Sequence, residues 1–105
     1  NGAKAYLEWV IGNAKLVGQQ EIARLRLSQL QLKEENYVDA MATANQGGTL
    51  AFKSLFDELK GDIYIAQGKM SEAAVAYQSA KAALEQNEPR GLILKLKLDD
   101  IAGSE

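Results

Sequence analysis

Apolar residues recur along this chain at spacings of three and four, the rhythm of helices that bury one side. From Ala3 to Val17, Ala5, Trp9 and Leu16 share that spacing with Tyr6, Val10 and Ala14, and Gly18 marks a break. From Glu21 to Lys33, Ile22, Leu25, Leu27, Leu30 and Leu32 form a broad apolar face. Glu34-Glu35-Asn36 interrupts it. Asn36 is then placed to cap a third helix, with Asp39 three positions on as its capping partner. Val38, Ala40, Met41 and Ala44 carry that helix until Gly47-Gly48 stops it.

Thr49 is a candidate cap for a fourth helix through Phe52, Leu55, Phe56, Leu59, Ile63 and Tyr64. Gln67-Gly68-Lys69 turns the chain, with glycine suited to a left-handed helix end. Ser71 to Glu85 predicts a fifth helix, with Ala73, Ala74, Tyr77, Ala80 and Leu84 on one side. Asn87-Glu88-Pro89 is both stop and start, since proline is tolerated in a helix's first turn. The closing run Leu92 to Leu98 alternates like a strand, but an isolated strand has nothing to pair with. Leu94, Leu98 and Ile101 share a helical face, so a sixth helix is expected.

Helices joined by short turns call for a search for repeats. Asn36-Tyr37-Val38-Asp39-Ala40-Met41 matches Lys69-Met70-Ser71-Glu72-Ala73-Ala74, with Ala40 and Ala73 33 positions apart. In the second unit Gly61 takes a small position and Tyr64 an aromatic one, Gly68 the turn, then Ala73, Tyr77 and Ala80 small, aromatic and small. Antiparallel helices approach closely only where small side chains face large ones. This order at a period near 34 resembles the tetratricopeptide repeat. The first unit is degenerate: Ser28 keeps the small position, but Gln31 stands where an aromatic belongs and Gly47 replaces the later alanine. The expected fold is therefore all-α: tetratricopeptide-like helical hairpins forming an α-α superhelix. Residues 1–18 are expected to be the second helix of a truncated repeat, 21–53 and 54–87 two repeats, and 89–102 a capping helix.

The run Ile22-Ala23-Arg24-Leu25-Arg26-Leu27, the two turns, and the ending Pro89-Arg90-Gly91-Leu92 through Lys97-Leu98-Asp99-Asp100-Ile101 look like one bacterial family. It is the tetratricopeptide-like ancillary subunit of the SecYEG translocon, periplasmic and membrane-anchored, and the likeness covers roughly residues 20–102. The resemblance implies an amino-terminal transmembrane helix, a place on the periplasmic side of the inner membrane, and the translocon and a periplasmic prolyl-isomerase chaperone as protein partners. A tetratricopeptide adaptor of another bacterial assembly, in secretion or pilus biogenesis, is the alternative. The chain begins at Asn1 without methionine and in helical register, so it is expected to be a fragment.

Composition narrows the chemistry. The 105 residues suit one domain, and 47% apolar with 25% charged content is globular. Twelve basic and fourteen acidic residues, with no basic run, argue against nucleic acid. With no cysteine and no histidine, thiolate and imidazole ligands are absent, so no metal, cofactor or catalytic residue is expected. No stretch approaches the roughly 20 apolar residues of a membrane span. Glu34/Glu35 and Asp99/Asp100 are adjacent carboxylates that point apart on a helix, which suits solvated ends rather than acid–base work. Tyr64 and Tyr77 fit packing positions, whereas Trp9 is open between packing and binding. The functional surface of such repeats is the concave face lined by the first helix of each pair. There the spacing places Leu25, Gln29 and Lys33, then Leu55, Glu58, Asp62 and Ile65, with Ile22, Leu32 and Ala66 beside them. Its charged members are expected to stand in solvent without partners. This mix suits an amphipathic helix or an extended peptide. A non-catalytic protein-binding scaffold is the expected function.

Overall fold

The computed structural model describes residues 2–85 and 88–104. Six α-helices follow one another: α1 Gly2–Asn13, α2 Val17–Lys33, α3 Tyr37–Asn45, α4 Lys53–Ala66, α5 Met70–Ala82 and α6 Arg90–Ser104. No strand occurs among the described residues, so the alternation from Leu92 to Leu98 resolves as helix. Asn1, Asn87 and Glu105, on which parts of the expected boundaries fall, lie outside the described residues.

The molecule measures 42 × 31 × 17 Å. Seventeen ångströms is less than two helix diameters, so the core lies in the seams between helices rather than in a central ball. One seam joins Ala40, Ala44, Phe56, Leu59 and Ile63 of α3 and α4, with Leu25 and Leu32 of α2 against it. The other joins Ala73, Tyr77 and Ala80 of α5 to Leu94 and Ile101 of α6. Helix α1 buries no residue and rests on the outside of α2.

The repeat is visible in the backbone of its turns. Glu35 and Gly68, 33 positions apart, both have left-handed φ, at 65° and 75°. After each, the next N–H reaches back five residues: Asn36 to the Gln31 carbonyl at 2.9 Å, Lys69 to the Tyr64 carbonyl at 2.8 Å. Glu35 holds without glycine a conformation that costs a side chain about 1 kcal/mol.

Four expected boundaries or caps are corrected. The first helix stops at Asn13, not Val17, and Gly18 belongs to the first turn of α2. The Asn13 side chain donates back to the Trp9 carbonyl at 2.8 Å, and Gln20 donates to the Ala14 carbonyl at 2.7 Å, which secures the break. Asn36 precedes α3 but makes no side-chain cap bond; its own N–H closes the turn onto the Gln31 carbonyl. Thr49 does not cap α4 either. Its hydroxyl donates to Glu21 at 3.1 Å, a 3₁₀ turn over Leu50–Phe52 intervenes, and α4 starts at Lys53. Helix α5 ends at Ala82 rather than Glu85, although Leu84 still packs on the second seam.

Candidate functional site

Gly61 explains how close α4 and α5 come. A Cβ there would clash with the edge of the Tyr77 ring, 2.6 Å from Cδ1. Ser28 does the parallel task for α2 and α3: its buried hydroxyl donates to the Ala40 carbonyl at 2.8 Å. Gly47 departs from the alanine of the repeat because the Phe56 ring occupies the space its Cβ would need. Just beside it the fully buried Glu21 carboxylate accepts from the N–H groups of Gly48 and Thr49, both at 2.8 Å, and from Arg24 at 3.1 Å. Burial alone would raise the pKa of Glu21, but these donors together outweigh it and hold the carboxyl below its ordinary value. Glu21 thus ties α2 to the α3–α4 loop.

Between α2 and α4 lies an open hollow of about 210 Å³, lined by Leu25, Gln29, Leu32, Leu55, Glu58, Leu59 and Asp62. Six of the expected concave residues therefore meet: Leu25, Gln29, Leu32, Leu55, Glu58 and Asp62. Leucines line its sides, and Gln29 is exposed. Lys33 is exposed in the last turn of α2 and does not line the hollow. Ile65 lines a separate hollow under α6, with Met70, Tyr77 and Ile101. Ile22 lines a third, between α1 and α2, with Tyr6, Val10 and Arg26. Ala66 is exposed at the end of α4.

The carboxylates of this face are not unpartnered, contrary to expectation. Lys97 of α6 reaches Glu58 at 2.7 Å and Asp62 at 3.0 Å, and Arg90 pairs with the second oxygen of Glu58. Arg90 also donates to Ser54 at 3.0 Å. The Tyr77 hydroxyl donates to Asp62 at 2.5 Å, and the Lys97 ammonium sits 5.4 Å from the centre of the Tyr77 ring. Burial would raise the Glu58 pKa, but Lys97 and Arg90 outweigh it and lower it. Burial would likewise lower Lys97, and its two carboxylate partners reverse that and raise it. Tyr77 is raised by burial first, then by its bond to Asp62. This half of the hollow is therefore charge-balanced, and beside it Leu25, Leu32 and Leu55 are partly exposed while Leu59 is buried.

Sequence reasoning missed Arg90 and Lys97. The signal was present: they stand seven apart, two turns of one face, opposite acids spaced four apart. Among the adjacent carboxylates, Glu34 pairs with Lys4 at 2.8 Å and Asp99 with Lys95 at 3.1 Å. Among the described residues, no three His, Cys, Asp or Glu side chains gather to hold a metal ion, and no helix is long and apolar enough to cross a membrane.

The profile of the tetratricopeptide repeat-like domain matches residues 1–103. The chain is also similar to the ancillary SecYEG translocon subunit of Neisseria gonorrhoeae, 33% identical over 99 residues. That alignment covers 94% of this chain and 47% of the relative, so the chain spans about half the relative's length. No solved structure matches. The repeated left-handed turns, the glycine–tyrosine approach and the profile agree: this chain belongs to the tetratricopeptide repeat-like domain family.

Proposed function

We propose that this chain is a non-catalytic protein-binding module that serves the Sec translocon through the hollow between α2 and α4. The observation that carries the reading is the convergence of Leu25, Gln29 and Leu55 with Glu58 and Asp62 on one open surface. Such a surface takes an amphipathic helix or an extended segment: leucines supply apolar contact and Gln29 pairs with a backbone. In this reading Lys33 and Ile65, which lie outside the hollow, also belong to the binding face. The translocon enters through the Neisseria relative, whose name places that protein at SecYEG. In this reading the domain comprises a half repeat over 1–18, repeats over 21–53 and 54–87, and a cap over 89–102. It works on the periplasmic side of the inner membrane, held by an amino-terminal transmembrane helix of the full-length protein. There it passes secreted clients to periplasmic chaperones, a prolyl isomerase among them.

A photo-crosslinking residue at Gln29, in membranes from cells producing the protein, tests this directly. Gln78, exposed on α5, is the control. Capture of a translocon subunit or periplasmic chaperone from Gln29 and not Gln78 is the expected result. Equal capture from both positions would overturn the groove, and capture of an unrelated assembly would overturn the translocon assignment.

A further inference from the structure

The two acids that line the hollow between α2 and α4, Glu58 and Asp62, are met by cations from outside it. Arg90 lines a neighbouring hollow with Ser54, Leu84 and Glu85, and pairs with Glu58 from there. Lys97 lines the hollow under α6 and reaches Glu58 at 2.7 Å and Asp62 at 3.0 Å. Neither cation lines the hollow between α2 and α4 itself. Two negative and two positive charges therefore cancel, with the acids on the guest's side and the bases outside.

Either sign of charge on a guest then meets an obstacle. A lysine or arginine must displace Lys97 or stay unpaired beside it. Lys97 already holds two carboxylates and sits 5.4 Å from the centre of the Tyr77 ring, so displacing it gives up three contacts. A cation left unpaired loses water with nothing to offset the loss. A carboxylate on the guest would instead have to approach Glu58 and Asp62, and like charges repel. An uncharged polar group meets neither obstacle. Apolar side chains gain from burial against the partly exposed Leu25, Leu32 and Leu55.

We propose that Arg90 and Lys97 are specificity-determining residues of this hollow. They neutralise its acids from outside, and so select an apolar segment whose polar positions are uncharged. The proposal rests on the hollow being the binding surface. Without the two cations, Glu58 and Asp62 would be uncompensated and the hollow would attract basic segments.

The chain contains no cysteine, so Gln29→Cys puts a single thiol in the hollow. Its exchange rates with cationic cystamine and with anionic dithiodiglycolate are each divided by the rate with neutral bis(2-hydroxyethyl) disulfide. That ratio cancels the thiolate fraction of the cysteine. With Lys97 in place, cation and anion are expected within about twofold of each other. Adding Lys97→Met should raise the cation-to-anion ratio about fivefold, less in about 1 M salt, and Lys97→Arg should leave it unchanged. A merely structural loss at Lys97 would change all three reagents alike.

Disulfide capture by the same thiol tests selection, using apolar peptides that differ only in carrying paired Gln, Lys or Glu residues. The Gln peptide is expected to be captured about threefold better than the others, and Lys97→Met to turn the preference toward the Lys peptide. A cation-to-anion ratio already above about fivefold with Lys97 present would overturn the proposal, as would a ratio that Lys97→Met leaves unmoved. Preferential capture of the Lys or Glu peptide by the chain that retains Lys97 would overturn it too. Capture of no peptide above the level of a Gln78→Cys control would overturn the hollow as a binding surface, and the proposal with it.

Discussion

The edge of the Tyr77 ring lies against the bare Cα of Gly61, and this contact sets the distance between α4 and α5. Gly61→Ala adds one methyl group where the ring already is. Helix propensity gains up to about 1 kcal/mol from removing glycine. Overpacking a closed contact costs about 1–3 kcal/mol, so a net loss of stability is expected. Urea denaturation checks the sign. In a double-mutant cycle, Gly61→Ala should cost less when Tyr77 is Leu, because the ring it meets is gone.

Glu21 predicts acid sensitivity of a particular kind. Its carboxyl and that of Glu58 are held below their ordinary value in the folded chain. Unfolding then takes up protons in acid, so their stabilisation is complete above the ordinary value of 4.5 and is lost as pH falls through the folded value. Glu21→Gln should cost about 1–3 kcal/mol near neutrality. Either orientation of the amide sets its NH₂ against another donor, the Gly48 and Thr49 N–H groups or Arg24. The urea midpoint of the variant should also fall less steeply below pH 4.5 than that of the wild type.

The alkaline limb is governed by other groups. Lys97 and Tyr77 both have raised folded values, so their contribution is intact below their ordinary values of 10.5 and 10.0 and is lost as pH rises through the folded ones. Lys97→Ala removes the cation between Glu58 and Asp62. The pairs are partly solvated, so the global cost is expected near 1 kcal/mol, decreasing with added salt. Amide hydrogen exchange should speed up in α6 more than in α2 or α3, since α6 loses its tie to α4.

Trp9 is the one tryptophan of the chain and is 62% exposed on a helix that buries nothing. Its emission is expected to be that of a solvated indole and readily quenched by acrylamide. Trp9→Ala should shift stability by less than about 0.5 kcal/mol. A blue-shifted, protected emission in the isolated chain would mean that α1 packs differently.

Much of the fold could be read along the chain, because its signals are local. Six helices follow from a 3.6-residue rhythm, and the Asn36 and Lys69 turns announce the repeat through neighbouring residues. Gly61 and Tyr77 were each legible, as a small and an aromatic position, because the repeat fixes their places; that they meet was not. The caps were not. Asn36 and Thr49 have the right chemistry, but Glu21, 28 residues before Thr49, captures its hydroxyl and N–H. Sequence spacing carries no trace of that competition. The candidate site was half legible for the same reason. Leu25, Gln29, Leu32, Leu55, Glu58 and Asp62 follow from periodicity on α2 and α4. That Arg90 and Lys97 close over the two acids depends on how α6 folds back, which distance along the chain does not reveal.

The central claim is that the hollow between α2 and α4 holds a translocon protein, and co-purification from solubilised membranes tests it most directly. Gln29→Arg places a bulky charge at an exposed position of that hollow without touching a core seam. Gln78→Arg places the same charge on the exposed outer side of α5. The wild type and Gln78→Arg are expected to retain translocon subunits equally, and Gln29→Arg to lose about tenfold, as a buried interface charge would. Undiminished co-purification with Gln29→Arg, in a variant whose helical circular dichroism is unchanged, would contradict the account.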